Sequence, residues 1–109
     1  MTVSYQLHVD RKTKEIAFIS CSIDFREGTI LDVKEFIQET AQGIEKYKYA
    51  YNYRRGSHTI FRYDNASDPR ARKLPSFPHH KHLSNGEMVA SHSMTLSGVI
   101  AEIEQMQTQ

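Results

Sequence analysis

Lys46 to Arg54 reads KYKYAYNYR, and it is the clearest alternation in the chain: Tyr47, Tyr49, Tyr51 and Tyr53 fall on one side, with Lys48, Ala50, Asn52 and Arg54 on the other. A period of two marks a β-strand with one buried face. Tyrosine suits such a face, because it has high strand propensity and buries its ring while the hydroxyl reaches the rim. Arg55-Gly56-Ser57 then closes a short loop, and His58 to Asp64 pairs back with Thr59, Phe61 and Tyr63 on one face and Ile60, Arg62 and Asp64 on the other. Upstream, Gln42-Gly43 breaks the pattern. Ile30 to Gln42 fits a strand through Leu31, Val33 and Ile37, or a helix through Ile30, Val33, Phe36 and Ile37 with Asp32 as its cap; the strand, to about Ile37, is preferred.

The same period opens the chain. Val3, Tyr5, Leu7 and Val9 alternate with Ser4, Gln6 and His8, which predicts a strand with one buried face. After a charged turn from Asp10 to Lys14, Ala17, Ile19, Cys21, Ile23 and Phe25 alternate with polar residues, and Arg26-Glu27-Gly28 supplies the glycine of a hairpin loop. Ala66 to Pro78 has three prolines and no periodicity, so it is expected to be an exposed loop. Lys81 to Leu83 reads as a last sheet edge, Glu87 to Ala90 as a short extended piece, and Thr95 as the cap of a helix whose Leu96, Val99, Ile100, Ile103 and Met106 form one apolar stripe. The expected architecture is α+β: an antiparallel meander of about five strands with one C-terminal amphipathic helix packed on it, in a single domain over residues 1–109.

Hydrophobic content of 39% and charged content of 25% fit a folded chain. No apolar run approaches the roughly 20 residues of a membrane span, and the N-terminus lacks a signal-peptide pattern, so no membrane partner and a cytoplasmic location are expected. Cys21, the single cysteine, lies among apolar neighbours and reads as a small hydrophobe.

Chemistry concentrates between His58 and His82, HTIFRYDNASDPRARKLPSFPHHKH. From residue 54 to 82 seven cations (Arg54, Arg55, Arg62, Arg70, Arg72, Lys73, Lys81) meet two carboxylates, Asp64 and Asp68, a local field that attracts polyanions despite a net charge of +1. His79, His80 and His82 are candidate catalytic groups, since imidazole serves as base or acid at neutral pH, and Asp64 could fix one of their tautomers. Arg62 and Lys81, with Arg70, Arg72 and Lys73 of the loop, are candidate substrate-binding groups for phosphate, and the tyrosines offer stacking surfaces for unpaired bases. In an extended segment His80 and His82 share one side and His79 takes the other, so a metal would need a third ligand such as Asp64, His58 or His92. The bland alternatives are that the tyrosines are core, that Arg62 and Asp64 are an ion pair on the sheet, and that the histidines, His8, His58 and His92 included, are structural or surface groups.

FRYDNA (Phe61 to Ala66) and FPHHKH (Phe77 to His82), followed by a final amphipathic helix, resemble the TumE family of small bacterial and archaeal toxins from type II toxin–antitoxin modules. The family's Arg-Tyr-Asp-Asn block falls on Arg62, Tyr63, Asp64 and Asn65, and its His-His-Lys-His block on His79, His80, Lys81 and His82. The resemblance implies a growth-inhibiting toxin neutralised by a cognate antitoxin encoded beside it. One departure lies between the blocks, where the family often carries a second histidine pair after Asn-Ala and this chain has Ser67-Asp68-Pro69.

Residues and resemblance together lead to a toxin that acts on RNA by metal-independent acid–base cleavage, with no cofactor. The alternatives are a non-enzymatic module binding nucleic acid or protein, and a small metalloprotein holding a divalent ion on its histidines. A sheet of this kind leaves edges to cover, which a homodimer would do.

Overall fold

A computed structural model describes residues 2–108, with side-chain surroundings from residue 4 onward. Seven strands follow one another across a single antiparallel sheet in chain order: β1 (Thr2–Arg11), β2 (Ile16–Phe25), β3 (Ile30–Thr40), β4 (Gly43–Arg55), β5 (His58–Asp64), β6 (His80–Leu83) and β7 (Met88–Ala90). The helix α1 (Leu96–Gln107) closes the chain, with Thr95 Oγ1 accepting from the Gly98 amide as its N-cap. The first five strands return one beside the last through short loops, in which Gly28 (φ 93°) and Gly56 (φ 57°) take the left-handed backbone, while a longer segment joins β5 to β6.

The strand count is seven, not about five. β6 and β7 are four and three residues long, too short to display a period, yet both are full members of the ladder: β6 pairs Phe61 with Leu83 through to Asp64 with His80, and β7 pairs His80 with Ala90. β3 runs on to Thr40, past Ile37, and the helical reading of this stretch gives way because Leu31 and Val33 are both buried opposite Tyr53 and Tyr51. The stretch from Ala66 to Pro78 is not simply an exposed loop. Pro69–Lys73 winds into a 3₁₀ turn capped by Asp68, whose carboxylate accepts from the Arg70 amide, and Ala71 is buried.

The core lies on one face only. Leu31, Val33, Tyr51, Val99 and Ile103 are at most 2% exposed, and each buried aliphatic side chain among them contributes about 1.5–3 kcal/mol. Tyr49, Tyr51 and Tyr53 are core residues with satisfied hydroxyls; Tyr51 donates to Glu35 at 2.6 Å and accepts from Lys46 at 2.7 Å, while Tyr53 donates to Thr29 at 2.9 Å. Tyr47 does not join them. The pairing steps from Phe36–Lys48 to Ile37–Lys46, and this bulge leaves Tyr47 without a partner, its ring 5.9 Å from Phe36 on the opposite face.

β1 does not bury an apolar face as expected. Tyr5, Leu7 and Val9 are 67%, 56% and 63% exposed; the Val3 side chain lies outside the described ones. Seven strands span roughly 29 Å at about 4.8 Å spacing, whereas a helix covers about 10–12 Å, so one helix over the middle of the sheet leaves its first strand bare. The radius of gyration, 14.6 Å against about 13 Å for a sphere-like chain of this length, reflects this slab with one dressed face.

Candidate active site

Strand register assembles the site on the undressed face. Side chains directly opposite one another on neighbouring strands share a face, so the pairing draws one row through Ser22, Asp32, Asn52, Arg62 and His82 and an adjacent row through Ser20, Lys34, Ala50, Asp64 and His80. Arg62, Asp64, His80 and His82 are thus neighbours although up to 20 residues separate them in sequence.

Asp64 is the centre. It is 3% exposed and accepts three hydrogen bonds: Oδ2 accepts from Arg62 Nε at 3.0 Å and from His82 Nε2 at 3.0 Å, while Oδ1 accepts from the Ala66 amide at 2.9 Å and lies 2.8 Å from His80 Nε2. Asn65, next in the chain, holds this end of β5 in place. Its side chain accepts from the Tyr49 amide and donates to the Tyr47 carbonyl, both at 3.0 Å, continuing the ladder where backbone pairing stops.

The two histidines on Asp64 differ. Since a carbonyl can only accept, the 2.8 Å contact between His80 Nδ1 and Pro78 O places a proton on Nδ1. His80 is fully buried, and its Nε2, though 2.8 Å from Asp64 Oδ1, has no hydrogen-bond partner among the described residues. His82 is about one quarter exposed and donates from Nε2 to Asp64, which leaves Nδ1 as the bare electron pair. Burial pulls the His82 pKa below its ordinary 6.5, with His80 and Arg62 acting in the same direction and outweighing the pull of Asp64, so His82 is neutral at neutral pH.

Arg62 is 44% exposed and is tied to the protein only through Nε, so the two terminal nitrogens of its guanidinium are free among the described residues. A cavity of about 500 Å³ opens over the cluster, lined by His58, Arg62, Asp64, Asp68, His80 and His82.

The other candidates lie elsewhere. His79 points to the dressed face, its Nδ1 2.9 Å from the Tyr49 hydroxyl and its ring stacked on Tyr49. Lys81 points the same way and donates to Glu102 of α1 at 2.8 Å; burial alone would lower its pKa, but Glu102 and Tyr63 outweigh that and raise it. Arg70, Arg72 and Lys73 ride the 3₁₀ turn, exposed, with Arg70 paired to Asp68 at 3.2 Å. His8 and His92 are exposed. Cys21 is partly buried, and burial pushes its thiol pKa up, away from thiolate chemistry. His58, which from the sequence is a possible third metal ligand or else a structural or surface group, lines the cavity from the start of β5, a placement set by the register that folds β6 back along β5.

Asp64, His80 and His82 also place one ligand atom each within 4.8 Å of one another, a donor set that could hold a divalent cation. A histidine that gives its second ring proton to a backbone carbonyl, as His80 does, is the usual metal ligand. Against this stands Arg62, whose guanidinium already sits on the same carboxylate.

On the undressed sheet face, then, one buried carboxylate gathers two imidazoles and an arginine beside an open cavity. The chain belongs to the TumE toxin family, as the family model described as Toxin TumE matches residues 1–107. Neither the curated proteins nor the solved structures give a significant match. No helix among the described residues is long and apolar enough to cross a membrane.

Proposed function

We propose that this toxin acts on RNA by acid–base cleavage without a metal, as the toxin half of a type II module whose cognate antitoxin restrains it in the cytoplasm. One observation carries the reading: a single buried carboxylate holds a neutral, accessible histidine and an arginine with a free fork side by side. His82 Nδ1 takes the proton of a ribose 2′-hydroxyl; the 2′-oxygen bonds to the adjacent phosphorus, and the bond from phosphorus to the 5′-oxygen breaks. The leaving oxygen takes a proton from a second imidazole, for which His58, exposed at the rim of the same cavity, is the candidate. Arg62 stabilises the charge that builds on the phosphate, a role its planar, permanently charged fork suits. Asp64 orients His82, and His80 lies buried behind Asp64; neither needs to touch substrate.

A second reading has its own support. The buried, unpartnered Nε2 of His80 would be satisfied by a divalent cation shared with Asp64 and His82. Purified, untagged protein incubated with RNA, with and without a chelator, separates the two. Cleavage that survives chelation and is lost in His82→Ala supports acid–base chemistry, cleavage lost on chelation supports the metal, and no cleavage under either condition overturns both.

A further inference from the structure

Three aromatic rings on the open face have no part in the chemistry above. Phe18 and Phe36 face one another across β2 and β3 with centroids 4.6 Å apart, and the bulged Tyr47 adds its ring 5.9 Å from Phe36. The core cannot account for them, since it lies on the other side of the sheet. Phe18 and Phe36 are partly buried, Tyr47 is 45% exposed, and the cations Lys34 and Lys48 stand exposed beside them, with Lys48 Nζ 5.9 Å over the Phe36 ring. A cavity of about 290 Å³ joins the two phenylalanines to the cluster, lined by Phe18, Lys34, Phe36, Lys48, Arg62 and Asp64. The two meet because the residue between them, Ala50, presents only a methyl group.

We propose that Phe18, Phe36 and Tyr47 form a stacking subsite for one unpaired base of the RNA, with Lys34 and Lys48 holding its flanking phosphates, which makes the substrate single-stranded. The inference rests on the RNA reading of the Asp64 cluster. Rings flanked by cations are what single-strand binders present, because every base offers a π-face and every linkage a charge, whereas a paired base is already stacked and cannot enter. Phe36 and Asp64 stand two strands and two residues apart, about 12 Å by sheet spacing, so the stacked base belongs to a nucleotide near the cleaved linkage but not at it. Purines, with the larger π-surface, are preferred there.

The test measures fluorescence anisotropy of a labelled 2′-O-methyl oligonucleotide, which lacks the nucleophilic hydroxyl, in single-stranded and duplex form. The proteins are wild type, the double variant Phe18→Leu with Phe36→Leu, which keeps apolar cover, and the double variant Lys34→Gln with Lys48→Gln; thermal melts establish that each is folded. The single strand is expected to bind at least tenfold tighter than the duplex, with A-rich sequence ahead of U-rich. The leucine variant is expected to lose about tenfold in affinity for the single strand with an unchanged salt slope, and the glutamine variant to lower that slope by about 1.4 for two phosphate contacts. Equal binding of single strand and duplex by wild type, or full affinity in a folded leucine variant, overturns the subsite. If wild type binds as expected but cuts no unmodified RNA, the subsite stands and the cleavage reading falls; if wild type cuts RNA and the leucine variant binds and cuts equally well, the cleavage reading stands and the subsite falls.

Discussion

Arg62 Nε and His82 Nε2 each stand 3.0 Å from the same oxygen of Asp64, so one buried carboxylate fixes both the group that would hold a phosphate and the group that would take a proton. The two side chains come from strands paired directly opposite each other, Arg62 to His82. Their relative position is therefore a property of the sheet and not of a loop.

Asp64→Asn is close to isosteric but turns an acceptor into a donor or a weaker acceptor toward His82, releasing its tautomer. Cleavage is expected to fall by about 10²–10⁴, the scale of a lost acid–base group, with a stability cost of about 1–3 kcal/mol from the buried polar groups left badly matched. Single-turnover kinetics beside urea melts read the two effects separately.

The His82 pKa lies below 6.5, chiefly because burial disfavours its charged form. Its base form therefore persists into mildly acidic solution, and the acid limb of kcat/KM that reports His82 is expected only below about 6.5, the alkaline limb being set by the imidazole that protonates the leaving oxygen. For stability the sign follows the same inequality. The unfolded chain takes up the proton first as pH falls, so the His82 contribution is lost between 6.5 and its lower folded value. An acid limb in kcat/KM above 6.5 would remove His82 as the base.

Lys81 and Arg62 are cations of adjacent strands on opposite faces, and they should part company on substitution. Lys81→Met is expected to leave RNA cleavage intact and to cost about 1 kcal/mol through the lost bond to Glu102. Arg62→Ala is expected to weaken RNA binding and to flatten its salt dependence. Filter binding at several salt concentrations, with denaturant melts, distinguishes them.

Asn65→Ala removes two hydrogen bonds that tie β5 to the Tyr47–Tyr49 backbone. A loss of about 1–3 kcal/mol is expected, together with reduced cleavage, because the Ala66 amide that supports Asp64 is the next link in the same segment. Asn65→Asp, which keeps the acceptor and loses the donor, is expected to fall between Ala and wild type in a denaturant melt.

The meander was legible because its long strands alternate over enough residues to show a period, and the Thr95 cap and apolar stripe announced the helix. Three things were not. Strands as short as β6 and β7 carry no period of their own, so Lys81–Leu83 and Glu87–Ala90 read only as a sheet edge and an extended piece, and the partners that make them members of the ladder are not named by the sequence. The exposure of Tyr5, Leu7 and Val9 depends on how far one helix reaches across the sheet, which no local pattern encodes. The bulge that turns Tyr47 away from the other tyrosines has no signature within an unbroken alternation. At the site, the chain's local period already separated His79 from His80 and His82. It could not show that Lys81 turns to the helix, or that His58, Phe18 and Phe36 lie near Asp64, because those facts reside in the register between strands.

The central claim is that Asp64 and His82 carry out metal-independent chemistry on RNA, and the most direct measurement is cleavage of RNA by purified, untagged protein in the presence of chelator. Wild type, His82→Ala, Asp64→Asn and His79→Ala would be compared, all shown to be folded. The account predicts cleavage by wild type and His79→Ala and its loss in the other two; equal cleavage by all four, or none by wild type, would contradict it.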